Sequence, residues 1–185
     1  MRDLPQRRRP DEPLAQSPDD EVASTLTIEA VAPSDPEVRA LLAELDDYLL
    51  ALYPNDPNTL MALEPLSPID TCMYLARVSG SAAGCAALNV TSPGYAELKR
   101  FYVSPLQRRC GIGARLLDTI EQAASQQGFG CLRLETGTRQ AQAQALFRHR
   151  GFHECGRFGH YQANRYSIYM EKLLTGEKLL TDSGS

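Results

Sequence analysis

ELKRFYVSPLQRRCGIGARLL, residues 97–117, is the stretch on which the reading of the chain turns. ELKRFYV (97–103) has the look of a strand and stops at Ser104-Pro105. QRRCGIG (107–113) then turns through Gly111 and Gly113, and a helix follows with Ile112, Leu116, Leu117 and Ile120 on one face, closing at Gly128. Unpaired backbone N–H groups at a helix start, at the positive end of its dipole, form a ready anion site. Gly111 and Gly113 are expected to let the backbone approach a ligand where a Cβ would block it. Arg108 and Arg109 would add charge-assisted contacts to phosphate oxygens. An ordinary turn carrying two surface arginines has the same residues, so the stretch alone leaves both readings open. The nucleotide-binding rivals fall: nothing matches a Walker loop, and Leu116 stands where a dinucleotide fingerprint needs its third glycine.

Working outward, residues 24–32 alternate like a strand. A helix from an Asp35 N-cap follows, with Val38, Leu41, Leu42, Leu45, Leu49 and Leu52 on one stripe. A Pro-rich turn and a short second helix near Asn58 to Leu63 come next. CMYLARVSG and AAGCAALNV read as a hairpin turning at Gly80 and Ser81. Beyond the glycine loop, CLRLET (131–136) is a strand, QAQAQALFRHR a helix stopping at Gly151, and FHECGRF and YSIYMEKLL two last strands. The order β-α-α-β-β-β-α-β-α-β-β predicts a mixed α/β sheet with helices on both faces. Residues 1–23, basic and then acidic without apolar periodicity, are expected to be a disordered leader, residues 24–175 the domain and 176–185 a tail.

The 185 residues carry a net charge of −4, with 43% hydrophobic and 23% charged residues, an ordinary balance that argues against nucleic acid as the main partner. No run approaches a membrane span, and the N-terminus has no apolar signal core, so no membrane partner is expected and the cytoplasm is the expected location. The five cysteines are scattered without a CxxC pair and only three histidines are present, so no metal site is expected. Free thiols of a reducing compartment are the reading, and Cys110 has no nearby histidine to activate it.

Taken together, ELKRFYVSPLQRRCGIGARLL and CLRLETGTRQAQAQALFRHRGF resemble the GCN5-related N-acetyltransferase (GNAT) family. Arg108, Gly111 and Gly113 fill its Arg/Gln-x-x-Gly-x-Gly/Ala motif at a helix start, and Ala143, Leu146, Gly151 and Phe152 fill its second motif. The resemblance implies an α/β fold with a mixed, largely antiparallel sheet whose central strands splay apart, and helices on both faces. It implies acetyl-CoA as co-substrate, lying between strands 97–103 and 131–136. Its pyrophosphate would rest on the amides of Arg109, Cys110, Gly111, Ile112, Gly113 and Ala114. Its pantetheine arm would pair with the backbone of Phe101, Tyr102 and Val103, where an N–H would polarise the thioester carbonyl.

The implied reaction is direct transfer of acetyl to a primary amine of a small molecule, with no enzyme nucleophile. A protein or peptide acceptor, or a non-catalytic acyl-CoA-binding module, is the alternative. The amine must attack neutral, so a carboxylate base is needed. Glu97 stands six residues before Val103, the spacing of the base in one branch of the family, and strand alternation would put it on the face of Lys99 and Phe101. Solvent or an ion pair with Lys99 is its other reading, and Glu135 is the second candidate. The family's tyrosine acid is replaced by Phe147, leaving Tyr161, Tyr166 or water to protonate the thiolate, or the thiolate to leave unassisted, and Gln140 stands where an asparagine is usual. The acceptor pocket would draw on Tyr48, Tyr53, Asn58 and Tyr161. The expected partners are acetyl-CoA and an amine, with a homodimer as an option.

Overall fold

Asp35 caps the first helix as its position in the sequence requires. Its Oδ1 accepts from the N–H groups of Glu37 and Val38 at 2.8 and 3.3 Å. The computed structural model describes residues 26–54, 56, 66–67, 69–90 and 92–174. The expected leader, the tail, Asn58 and the short helix to Leu63 lie outside the described residues.

The elements, in chain order, are β1 (Leu26–Val31), α1 (Pro36–Leu52), β2 (Thr71–Val78), β3 (Ser81–Asn89) and β4 (Ala96–Val103). A single 3-10 turn (Pro105–Gln107) leads to α2 (Ile112–Gln126), β5 (Cys131–Gly137), α3 (Ala141–His149), β6 (His153–Glu154) and β7 (Ser167–Leu173). Among the described residues the strands form one seven-stranded sheet in the order β1-β2-β3-β4-β5-β7-β6. Every neighbouring pair is antiparallel except β4 and β5. The strand expected over residues 152–158 is cut to β6, two residues long. After Glu154 the chain keeps one ladder bond, Cys155 N–H to the Tyr169 carbonyl at 2.9 Å, and then leaves the sheet.

Helices cover both faces. On one, Val38, Leu41 and Leu45 of α1 pack on Met73, Leu75 and Tyr102. On the other, Ile112, Leu116 and Ile120 of α2 and Phe147 of α3 pack on Leu88, Leu98 and Leu134. This is the amphipathic pattern of the sequence converted into two apolar layers.

Two irregularities position the site. β4 and β5 pair over three residues only, Ala96 to Leu98 against Leu132 to Leu134, and then part. β4 also carries a bulge: Ala87 of β3 faces Lys99 and Cys85 faces Tyr102, so two residues of β4 oppose Ala86. Arg100 there has φ +52°. The extra residue reverses the alternation expected along 97–103. Glu97 and Lys99 stay on the α1 face, as the partnering of Lys99 with Ala87 shows, but Phe101 is turned to the α2 side with Leu98. The predicted shared face of Glu97, Lys99 and Phe101 is therefore corrected.

Candidate active site

Where β4 and β5 part, a cleft opens whose outer arm measures about 700 Å³ and whose inner arm about 120 Å³. Leu45, Phe101, Gln140 and Ala143 line both arms, so the two are continuous. The outer arm is walled by Phe101 to Val103, by Arg108, Arg109 and the Gly111 to Ala114 backbone, and by the start of α3.

The helix ladder of α2 starts with Arg115 N–H on the Gly111 carbonyl at 3.1 Å. The N–H groups of Ile112, Gly113 and Ala114 therefore have no acceptor within the helix, and they border the outer arm. Gly111 has φ +77° and open space where a Cβ would stand, so it is the backbone conformation that calls for glycine there. Gly113 differs from expectation. A Cβ on it would come to 3.0 Å from Leu146 and 3.4 Å from Phe101, so its bareness lets α2 pack against α3 and β4. Arg108 donates from Nε to the Val103 carbonyl at 2.9 Å, and its guanidinium lies over the rings of Tyr48 and Tyr102. The loop is thus tied to the end of the strand. Arg109 is exposed with φ +67°. Cys110 turns its thiol back to the Arg108 carbonyl at 3.6 Å, so only its backbone N–H would serve the expected run.

A phosphorylated, amide-bearing ligand fits this arm: amides at a helix start, two arginines, and a strand edge without a neighbour. Among the described residues no three His, Cys, Asp or Glu side chains converge as a metal site.

The titratable groups gather at the inner arm: Lys99, Glu135 and Tyr161 line it, and Glu97 is reached through Tyr161 and Lys99. Tyr161, on the segment between β6 and β7, donates its hydroxyl to Glu97 Oε1 at 2.5 Å. Lys99 Nζ stands 3.5 Å from the same oxygen and over the Tyr161 ring. Glu97 is only 8% exposed, so the solvated reading of this residue is excluded while the neighbourhood of Lys99 is real. Burial and the Glu97 charge push the Tyr161 hydroxyl far above its ordinary value of 10. Glu135 lines the arm directly. Burial first, then the charges of Asp56 and Glu97, raise it from 4.5 to about 7, against a lowering hydrogen bond from Ser167. The structure therefore brings Glu97, Glu135 and Tyr161 together from three separate segments.

Phe147 is nearly buried, its ring 5.4 Å from Phe101 and 5.8 Å from Phe152, and it also lines the inner arm. Gln140 uses its Oε1 to accept from Gly137 N–H at 2.7 Å, so its amide nitrogen is what it can offer a ligand. Tyr53 is buried over Gly137, where a Cβ would meet its hydroxyl at 2.3 Å, and that hydroxyl accepts from Arg139 N–H at 2.6 Å. Sequence reasoning missed Gly137, although a glycine ending a strand in "LETGT" signals close approach by another group.

The profile of the family described as Acetyltransferase (GNAT) family matches residues 35–152. The chain belongs to the GNAT acetyltransferase family. This acetyltransferase is 43% identical over 150 residues to an IAA acetyltransferase of Azospirillum brasilense, covering 80% of this chain and 98% of the relative. A candidate acyl-CoA N-acyltransferase of Klebsiella pneumoniae has the same fold at 34% identity and TM-score 0.71, covering 82% of this chain and 99% of its own. A GNAT acetyltransferase of Elizabethkingia anophelis, solved with acetyl-CoA bound, shares the fold at 19% identity and TM-score 0.59, over 81% and 99% of the two chains. The acetyltransferase is an enzyme that uses acetyl-CoA. None of the helices among its described residues is long and apolar enough to cross a membrane.

Proposed function

We propose that the enzyme moves the acetyl group of acetyl-CoA directly onto the primary amine of a small molecule. The observation that carries the reading is the Tyr161–Glu97 hydrogen bond beside Glu135, at the point where β4 leaves β5. A small acceptor is supported by the description of the Azospirillum relative as an IAA acetyltransferase and by the modest inner arm.

In this reading the amides of the Gly111 loop hold the pyrophosphate, and the unpaired edge of Phe101 to Val103 holds the pantetheine arm and polarises the thioester carbonyl. An ammonium must lose two protons to become an amide, and the site has two carboxylates. Glu135, titrating near neutrality, takes the first and passes it to solvent. The amine nitrogen attacks the thioester carbon and becomes positively charged in the tetrahedral adduct. Glu97 takes that second proton, while Tyr161 gives its own to the sulfur as the C–S bond breaks and is replenished from Glu97. The products are the amide, the thiol of CoA and one proton in solution. A tyrosine held between carboxylates is a poor acid while Glu97 is charged, so the transfer depends on Glu97 being protonated first. Phe147 packs the wall where the hydroxyl acid of the family would stand.

The test is a screen of amines, peptides and proteins for release of CoA thiol, run with wild type and Glu97→Gln. A small amine is expected to turn over, with the variant slower by roughly 10²–10⁴ and acetyl-CoA affinity unchanged. Raising the pH should not restore the loss, because it removes only the first proton of the ammonium, the one Glu135 takes, and leaves the second without its acceptor. Tight acetyl-CoA binding with no turnover on any acceptor would overturn the enzyme reading, and turnover on peptides or proteins alone would overturn the small acceptor.

A further inference from the structure

Three non-glycine residues described here have positive φ. Ser79 lies in the turn between β2 and β3, and Arg109 lies in the glycine loop, places where that conformation is ordinary. Arg100 lies inside β4. A side chain in the left-handed region has a steric cost that glycine avoids, and such a residue persists only where the surroundings hold it. The surroundings here are specific. The Arg100 side chain is 7% exposed, and its Nη1 donates to Oδ1 of Asp46, on α1, at 2.5 Å. Glycine could take the backbone angle but could not reach α1. Two residues on, Tyr102 repeats the link, its hydroxyl donating to Glu44 of the same helix at 3.1 Å.

We propose that the Arg100–Asp46 ion pair holds the β4 bulge in place and makes Arg100 a positioning residue for the acetyl donor. The reasoning rests on the reading that the Phe101 to Val103 backbone carries the pantetheine arm. The bulge decides where that backbone points. It breaks the register with β3 between Ala87 and Cys85 and turns Phe101 onto the α2 side. A bulged segment needs an anchor, because its ladder bonds are interrupted where the extra residue sits. Besides the ion pair, the Cys85 thiol reaches the Arg100 carbonyl at 3.7 Å, a weak contact. The ion pair is a charge-assisted tie from the bulged residue itself to a helix, and that helix is packed along Val38, Leu41 and Leu45. Arg100 also lines the inner arm of the cleft, so its displacement would alter the space beside the thioester.

The experiment measures binding of two probes by calorimetry: acetyl-CoA, and 3′-phospho-ADP, which has the phosphates of CoA and lacks the pantetheine arm. In Arg100→Gly acetyl-CoA affinity is expected to fall roughly tenfold, the equivalent of losing one or two hydrogen bonds of ordinary net strength, and in Asp46→Asn by roughly threefold, because the amide oxygen still accepts from Arg100 and only the charge is lost. Affinity for 3′-phospho-ADP is expected to stay at the wild-type value, because the Gly111 loop is untouched. Arg100→Lys, which keeps a cation for Asp46, should recover part of the loss. Asp46 is partly exposed on a helix, so Asp46→Asn gives a folded protein even if Arg100→Gly does not. Equal weakening for both probes, or wild-type acetyl-CoA affinity in Asp46→Asn, would overturn the proposal. If Gly111→Val also left acetyl-CoA affinity intact, the site itself would be misplaced; if it abolished binding while Asp46→Asn kept the wild-type affinity, only the lock would fail.

Discussion

Replacing Glu135 by glutamine sets catalysis and stability against each other. The folded carboxyl titrates near 7 where 4.5 is unperturbed, chiefly because burial penalises its charged form. A folded value above the unfolded one means that the native state prefers the protonated acid. That preference is complete below about pH 4.5 and is lost as the pH rises through about 7. The whole gap corresponds to about 3 kcal/mol, an upper figure because the side chain keeps some contact with water. Roughly 1 kcal/mol of it has gone by pH 5 and nearly all by pH 8. Glutamine has the shape of the protonated acid and never ionises. Glu135→Gln should therefore gain up to about 2 kcal/mol on wild type between pH 5 and pH 8, which is roughly 4–8 °C in Tm for a domain of this size. Turnover should fall at the same time, and the neutral inflection of the wild-type pH profile should disappear. Melts followed by circular dichroism at the two pH values, beside a pH–rate series, provide the check. An offset between variant and wild type that is the same at both pH values, or a variant less stable at pH 8, would refute the reasoning.

The two loop glycines should respond differently. Gly111→Val should leave a folded protein that no longer binds acetyl-CoA, because a β-branched residue resists φ +77°, and calorimetry reads this directly. Gly113→Val should instead lower Tm by crowding Leu146 and Phe101, with thermal melts as the measure. Tyr161→Phe should cut turnover with little change in acetyl-CoA affinity, and adding Phe147→Tyr should restore part of it by returning a hydroxyl to the inner arm. Steady-state rates on whichever amine the screen identifies settle that pair.

Local signals in the chain were legible where one residue type has one strong use. Asp35 before a Pro-Glu start announces a cap, and the leucine stripe after it announces a buried face, and both are found. The glycine loop between a strand and an amphipathic helix is likewise where the sequence puts it. The bulge in β4 was not legible, because nothing in ELKRFYV punctuates the run: the residue that takes the left-handed conformation is an arginine held by a partner 54 positions away. The same holds for Gly113, which reads as a ligand-facing glycine until α3 is seen behind it. Glu97 was identified from spacing under the family resemblance, yet its burial and its tyrosine partner come from the return of the chain after β6. Long-range encounters of this kind leave no periodicity in a sequence.

The brief seam between β4 and β5 bears on solubility. A strand with unpaired N–H and C=O groups invites another chain to dock, and proteins blunt such edges at the rim of a sheet with short strands or charge. Here an unpaired edge follows Leu98 in the middle of the sheet, bounded by β5 and by α3, where the sheet of a second molecule cannot slide alongside it. The enzyme can therefore keep a sticky stretch of backbone open to the cleft without offering it to its own copies. The rim carries a different safeguard at one end: β6 is two residues long, too short to nucleate a ladder with a neighbour.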